Sequence, residues 1–131
     1  MTILLIIIDI LFSYFSGHEE AVRWKETNLI ASGKDDRKLN LQWHLETDAS
    51  YILCGLMFYL LAFTSLWILP FLLVLHWTIS DGVMNLARDR KFFAVSLGPN
   101  GSTAPTEPYA QWYVKIPLLI ITLIIGIISK F

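Results

Sequence analysis

A chain of 131 residues is long enough for one domain and too short for two. Hydrophobic residues make up 55% of it and charged residues 16%, whereas soluble domains average roughly 45–50% and about 25%. The net charge of −1 excludes the strongly basic surface of a nucleic-acid-binding protein, so no nucleic-acid partner is expected.

The first apolar segment covers residues 1–17 and carries one charged side chain, Asp9, near its middle. A secretory signal peptide begins with basic residues, but the first Lys or Arg of this chain is Arg23. The segment also lacks an Ala-x-Ala cleavage site. We therefore expect it to be retained as a transmembrane helix.

Residues 18–43 form a connector that is rich in both basic and acidic side chains. Such a segment is expected to lie outside the membrane as a loop. Its most turn-like part is the run Ser32-Gly33-Lys34-Asp35-Asp36.

Residues 49–87 decide the topology, because they make either one transmembrane helix or two. The stretch from 51 to 79 contains no Asp, Glu, Lys or Arg. A single helix would be about 58 Å long, nearly twice the ~30 Å thickness of the hydrocarbon core. Two helices over 49–65 and 70–87 fit better, and Pro70 suits the first turn of the second helix.

A polar connector is expected over 92–112, where glycines and prolines predict irregular structure. The chain then ends in an apolar helix. The predicted fold is all-α, an integral membrane bundle of four short transmembrane helices, with three helices as the alternative. The predicted helices cover residues 1–17, 49–65, 70–87 and 113–129.

The distribution of basic residues favours four spans over three. Three spans would place six of the ten Lys and Arg residues on one side and four on the other. Four spans place nine on one side and only Lys130 on the other. Cytoplasmic connectors carry the excess of Lys and Arg. We therefore expect a multi-pass protein of the bacterial inner membrane, with both connectors in the cytoplasm and both termini outside it.

One pair of polar residues is predicted to lie within the membrane. Asp9 and His76 are at similar depths, about 12 and about 9 Å from the outer ends of their helices. They are predicted to pair across the bundle. An isolated carboxylate at that depth is disfavoured relative to the neutral acid. The alternative is a neutral, hydrogen-bonded Asp9 without a functional role.

A second polar layer is predicted at the cytoplasmic interface. Ion pairs such as Asp48 or Asp81 with Arg88 are its expected use. A metal site is the alternative, although the sequence contains no zinc-binding spacing, and no cofactor is expected. The candidate metal ligands are His18, His44, Asp48 and Asp81. The whole layer comprises Glu20, His44, Asp48, Asp81, Asn85 and Arg88.

Basic and aromatic residues are concentrated after the third predicted helix. Arg88, Arg90 and Lys91 are typical of an interfacial anchor for anionic lipid headgroups. The surrounding run is Asp81-Gly-Val-Met-Asn85-Leu-Ala-Arg88-Asp-Arg90-Lys-Phe92-Phe93. It is similar to a pattern in small uncharacterised polytopic membrane proteins of bacteria and their phages. The resemblance implies such an origin and carries no activity.

Three functions from different classes stay open at this point. The first is a non-enzymatic protein that acts by helix packing and by interaction with membrane lipid, another membrane protein or a second copy of itself. The second is proton or cation translocation through a relay of Asp9 and His76. The third is a membrane-embedded, metal-dependent enzyme acting on lipid. The sequence contains no catalytic motif, which favours the first.

Overall fold

The computed structural model of the chain describes residues 1–33, 37–93 and 112–129. Over these residues the fold is all-α, as predicted, and contains no strand. Its elements are α1 (Thr2–Ala31), α2 (Arg37–Leu61), a 3₁₀ turn (Leu66–Ile68), α3 (Leu69–Ala87) and α4 (Trp112–Ile128).

The first connector differs from the predicted loop over 18–43, because most of it is helical. α1 continues to Ala31, and α2 begins at Arg37. Its Glu, Lys and Arg residues are good helix formers, and Ala21 and Val22 give this part of α1 a buried face. The high charge of residues 18–43 predicts a loop, but a helix can also carry charged residues on its solvent-facing side.

The end of α1 has the geometry of a helix C-terminus. The amide of Ser32 donates to the carbonyls of Asn28 and Leu29, and Gly33 adopts a φ of 70°. This left-handed conformation is the one that glycine commonly provides after a helix. The rest of the predicted turn, residues 34–36, lies outside the described residues. So does the second connector from 94 to 111.

Residues 49–87 form two helices, which confirms the predicted break. α2 ends at Leu61, and α3 begins at Leu69 with Pro70 in its first turn. The intervening turn contains no glycine. It is held by Thr64, whose amide donates to the carbonyl of Leu61 at 3.2 Å and whose hydroxyl lies 3.3 Å from the same oxygen.

α1 and α2 form an antiparallel hairpin. Near the turn, Asn40 donates a side-chain hydrogen bond to Glu26 at 2.8 Å. Two turns further from the connection, His18 lies 2.8 Å from Glu46. The hairpin therefore extends about 21 Å beyond residue 17, at ~1.5 Å per residue.

α1 and α3 run parallel, because the contacting positions rise together along both helices. Ser13 contacts His76, and Trp24 lies against the guanidinium of Arg88. The C-termini of the two helices consequently share one end of the bundle. Both connectors leave from that end, as the four-helix prediction required.

α4 packs antiparallel to α3. Its first turns contact the end of α3 through Lys115 and Asp81, and a Cβ at Gly126 would lie 3.6 Å from the carbonyl of Trp67. α1 packs on α2 and α3, whereas α4 packs on α3 and the 3₁₀ turn. The helices thus lie in the order α2, α1, α3, α4.

Two helical segments are long and apolar enough to cross a membrane by length and composition, namely Thr2–Ala31 and Leu66–Ala87. The helix Trp112–Ile128 is apolar but has only 17 residues. α2 carries His44, Glu46 and Asp48 in the half that precedes its apolar part.

α1 approaches α3 closely at Gly17. A Cβ added there would overlap the backbone carbonyl of Ser80. Because the opposing group is backbone rather than a flexible side chain, the two helices would have to move apart. Gly55 of α2 is the opposite case, since no atom lies within 4 Å of the position of its Cβ.

We expect the substitution Gly17→Ala to lower the free energy of unfolding by about 1–3 kcal/mol, the usual cost of overpacking. The matched substitution Gly55→Ala should leave stability unchanged or raise it, because alanine favours a helix over glycine. Denaturant titration of both variants in detergent micelles, followed by circular dichroism, measures the difference. Equal stabilities would contradict the described contact of α1 with α3.

Candidate functional site

A row of polar residues lies between α1 and α3, and we call it the polar seam: Asp9, Ser13 and Ser16 of α1 with His76 and Ser80 of α3. The spacing of four and three residues places the α1 members on one helical face. That face contacts α3, since Ser13 reaches His76 and Gly17 meets Ser80. The seam therefore runs along the helix axes rather than across the bundle.

Asp9 lies at the apolar end of the polar seam. Its relative exposure is 0%, and neither carboxyl oxygen has a hydrogen-bond partner. The buried residues around this level of the bundle include Leu5, Ile8 and Leu72. A buried carboxyl without a donor or a cation beside it is costly, and such groups deserve an explanation.

Ser13 links Asp9 to His76. Its hydroxyl donates to the backbone carbonyl of Asp9 and lies 3.0 Å from Nδ1 of His76. Because the hydroxyl has a single hydrogen, Nδ1 of His76 must supply the hydrogen of the second bond. Phe12 stacks on the imidazole with ring centroids 4.6 Å apart, which orients it. Ser13 thus contacts His76 and the backbone of Asp9, whereas the side chains of the predicted pair share no direct hydrogen bond.

The opposite end of the polar seam opens into a cleft of about 250 Å³. Three carboxylates, from Glu19, Glu20 and Asp81, line it together with hydroxyl groups. The complete lining is Ser16, Gly17, Glu19, Glu20, Ser80, Asp81 and Met84. Two members of the predicted cytoplasmic layer, Glu20 and Asp81, are therefore brought together here.

Asp81 forms its ion pair with Lys115 rather than with Arg88. The two charged atoms, Nζ of Lys115 and Oδ2 of Asp81, are 2.6 Å apart. The Lys115 side chain is 2% exposed and that of Asp81 30% exposed. Lys115 also lies 4.6 Å from the ring centroid of Trp77, which is one helical turn before Asp81. Lys115 stands at the start of an apolar helix, and a charge in such surroundings predicts a partner inside the protein.

His44 and Asp48, which were predicted to lie in the same layer, do not line this cleft. Both are exposed on α2. His18 pairs instead with Glu46, which sequence reasoning missed. The candidate metal ligands are thus separated, and within the described part of the chain no three His, Cys, Asp or Glu side chains lie close enough to hold a metal ion.

Asn85 helps to fold the chain back after α3. Its side-chain amide donates to the carbonyl of Phe92 at 3.1 Å. Asp89 adopts a φ of 58°, and the ring of Phe92 occupies the space where Gly82 lacks a Cβ. The run of residues 81–93 therefore coincides with a helix terminus and the reversal after it.

Arg88 is partly buried by Trp24, whose ring centroid lies 5.3 Å from the guanidinium carbon. Burial lowers the pKa of Arg88 from its ordinary value, and the negative charge of Glu20 opposes that change. Arg88 therefore joins α3 to α1 rather than standing free for lipid. Among the predicted anchor residues, Lys91 is exposed and Arg90 partly exposed.

Removal of the charge from Asp81 should cost more stability than removal of its partner. Asp81→Asn leaves the buried Lys115 without a counter-charge, and losing one member of a buried pair costs about 3–5 kcal/mol. Lys115→Met leaves the partly exposed Asp81 in contact with solvent, so its cost should be smaller. Unfolding titrations of both variants and of the double variant test this order, and the reverse order would contradict the described burial of Lys115.

Comparisons with models of protein families, with curated proteins and with solved structures find no significant match to this chain. The resemblance of residues 81–93 to bacterial and phage membrane proteins therefore stays a prediction.

Proposed function

We propose that this chain is an integral membrane protein of four short helices that acts without catalysis, through contacts with lipid and with neighbouring membrane proteins. One observation carries the proposal: the helices bury polar as well as apolar residues, and they leave many large apolar side chains exposed. In α4 the only residues that are buried are Lys115 and Thr122. Its Ile and Leu side chains are largely exposed.

The first half of α1 shows the same features. Asp9, Ser13 and Gly17 are buried together with Leu5 and Ile8, whereas large apolar residues on the opposite side are exposed. In water this arrangement would leave a large apolar surface uncovered. In a bilayer the lipid chains cover it, and the small and polar residues pack between helices.

The lengths of the helices set how the bundle fits a bilayer. α4 is about 26 Å long at ~1.5 Å per residue. The uncharged part of α2, residues 49–61, is about 20 Å long. Helices shorter than the hydrocarbon core are accommodated by local thinning of the bilayer or by association with other helices. Short helices thus support contact with a partner protein.

The orientation follows from the shared end of α1 and α3. Both connectors leave from this end, and nine of the ten basic residues lie within them or in the residues that flank them. The positive-inside rule assigns this end to the cytoplasm and both termini to the outside of a bacterial inner membrane.

Cysteine labelling of sealed inner-membrane vesicles tests this topology in a Cys54→Ala background. We expect Ser32→Cys and Lys91→Cys to react with an impermeant maleimide from the same face. Ser65→Cys, in the turn between α2 and α3, should react from the other face. All three native residues are exposed. Labelling of positions 32 and 91 from opposite faces would exclude the four-span arrangement.

The hairpin beyond residue 17 supplies a surface for a protein partner. Between its two helices lies an apolar groove of about 460 Å³, and its lining includes Trp24, Leu29 and Leu39. Leu41 is exposed nearby in sequence. A photo-crosslinking residue at position 41 should capture protein in native membranes, whereas one at the lipid-facing Ile127 should capture lipid. Capture of lipid alone at both positions would contradict a protein partner.

Movement of protons or small cations is a second candidate function. The continuity of the polar seam with the carboxylate-lined cleft favours it. In liposomes that contain the purified protein, Asp9→Asn should abolish a pH-driven proton flux, and the exposed control Asp48→Asn should not. Absence of flux through the unaltered protein would remove this candidate.

A further inference from the structure

We propose that the Asp9 carboxyl is a proton-binding site inside the bundle, and that it exchanges its proton with water along the polar seam, which leads from Asp9 to the cleft between α1 and α3. The inference deepens the second candidate function, but it concerns a site and not net transport. A site that binds and releases protons at one end of the bundle does not by itself carry them across the membrane.

The surroundings of Asp9 select the proton over a metal cation. Within the described part of the chain, neither carboxyl oxygen has a hydrogen-bond partner. Calcium needs six to eight oxygen ligands and magnesium near-octahedral coordination. Asp9 offers one carboxyl, and Leu5 and Ile8 of the same helix are buried hydrophobic residues. A proton needs only the single carboxyl, and it removes the charge that makes the burial costly.

The other titratable groups near α1 leave Asp9 without a competing charge. α3 contributes His76, whose Nδ1 is engaged by Ser13. α2 contributes no Asp, Glu, Lys, Arg or His between Ser50 and Leu61. Its titratable side chains in that stretch are Tyr51, Cys54 and Tyr59, and the two tyrosines are exposed.

A route to water follows the packed surfaces of α1 and α3. One turn separates Ser13 from the cleft residues Ser16 and Gly17, and one turn separates His76 from Ser80. The neutral His76 ring carries its hydrogen on Nδ1, which faces Ser13, so Nε2 is the ring nitrogen that can accept a proton. His76 and Ser13 are thus the polar residues that lie along the seam between Asp9 and the cleft, and Asp9 is the binding residue.

A hydrophobic carbodiimide identifies the binding residue directly. The O–H of a neutral carboxylic acid adds across one N=C bond of dicyclohexylcarbodiimide, and the acyl group then moves from oxygen to nitrogen. The product is an N-acylurea that contains all the atoms of both reactants. An ionised carboxylate has no proton to contribute to this step.

The full-length protein in liposomes at neutral pH should gain the mass of one dicyclohexylcarbodiimide on the peptide that contains Asp9. Asp9→Asn should lose this modification, and the exposed control Asp48→Asn should retain it. A water-soluble carbodiimide should instead modify Glu19, Glu20 or Asp81 in the cleft. Labelling of the cleft carboxyls by both reagents, with Asp9 unmodified, would overturn the site.

Infrared spectroscopy in D₂O tests the route. The carbonyl band of a neutral carboxylic acid should be present in the unaltered protein, absent in Asp9→Asn, and shifted when the proton is replaced by deuterium. His76→Phe keeps a ring to stack on Phe12 but cannot relay a proton, so the shift should become at least tenfold slower. Ser13→Ala should slow it in the same direction, and unchanged exchange in both variants would overturn the route.

The flux measurement separates this inference from the function on which it rests. Labelling and exchange at Asp9 without any proton flux would support the proton site and contradict transport. Flux without the carboxylic acid band and without labelling would support transport and contradict Asp9 as its site.

Discussion

The parallel packing of α1 against α3 is the constraint on which the rest of the structure depends. It is possible because Gly17 has no Cβ where the carbonyl of Ser80 approaches. Once these two helices are parallel, α2 must run back between their ends, and both connectors must leave from one end. The placement of basic residues and the course of the polar seam follow from that single contact.

Several polar residues are buried between the helices around this contact, whereas many apolar side chains are exposed. Thr78 and Thr122 are buried, and each donates its hydroxyl to a carbonyl one turn earlier in its own helix. Lys115 is buried too, but it reaches Asp81 on the neighbouring helix and lies over Trp77. The hydroxyl groups of Thr78 and Thr122 thus find acceptors within their own helices, whereas the charge of Lys115 is paired with a residue of a second helix. Interhelical specificity in this bundle therefore comes mainly from its few charged groups.

The sequence was sufficient for the features that depend on local chemistry. Pro70 and the length of the middle segment predicted the break between α2 and α3, because a continuous helix would not fit a bilayer. Contacts between helices were harder to predict from the sequence, because the pairing of Lys115 with Asp81 depends on the order in which the helices pack. The helical course of residues 18–31 was missed because charge says little about backbone conformation.

Asp9 differs from the buried hydroxyls of Ser13, Thr78 and Thr122, and the difference lies in its hydrogen-bonding capacity. A serine or threonine always has a hydrogen to donate to the preceding turn, as Ser13 does. An ionised carboxylate can only accept, and in a helix interior the free acceptors are already carbonyls. A neutral Asp9 gains the one hydrogen that would let it behave as the serine does. Protonation therefore determines whether the Asp9 carboxyl can donate a hydrogen bond within α1 or remains an unpaired charge between α1 and α3. A change in this protonation would affect the contact of α1 with α3, on which the fold depends.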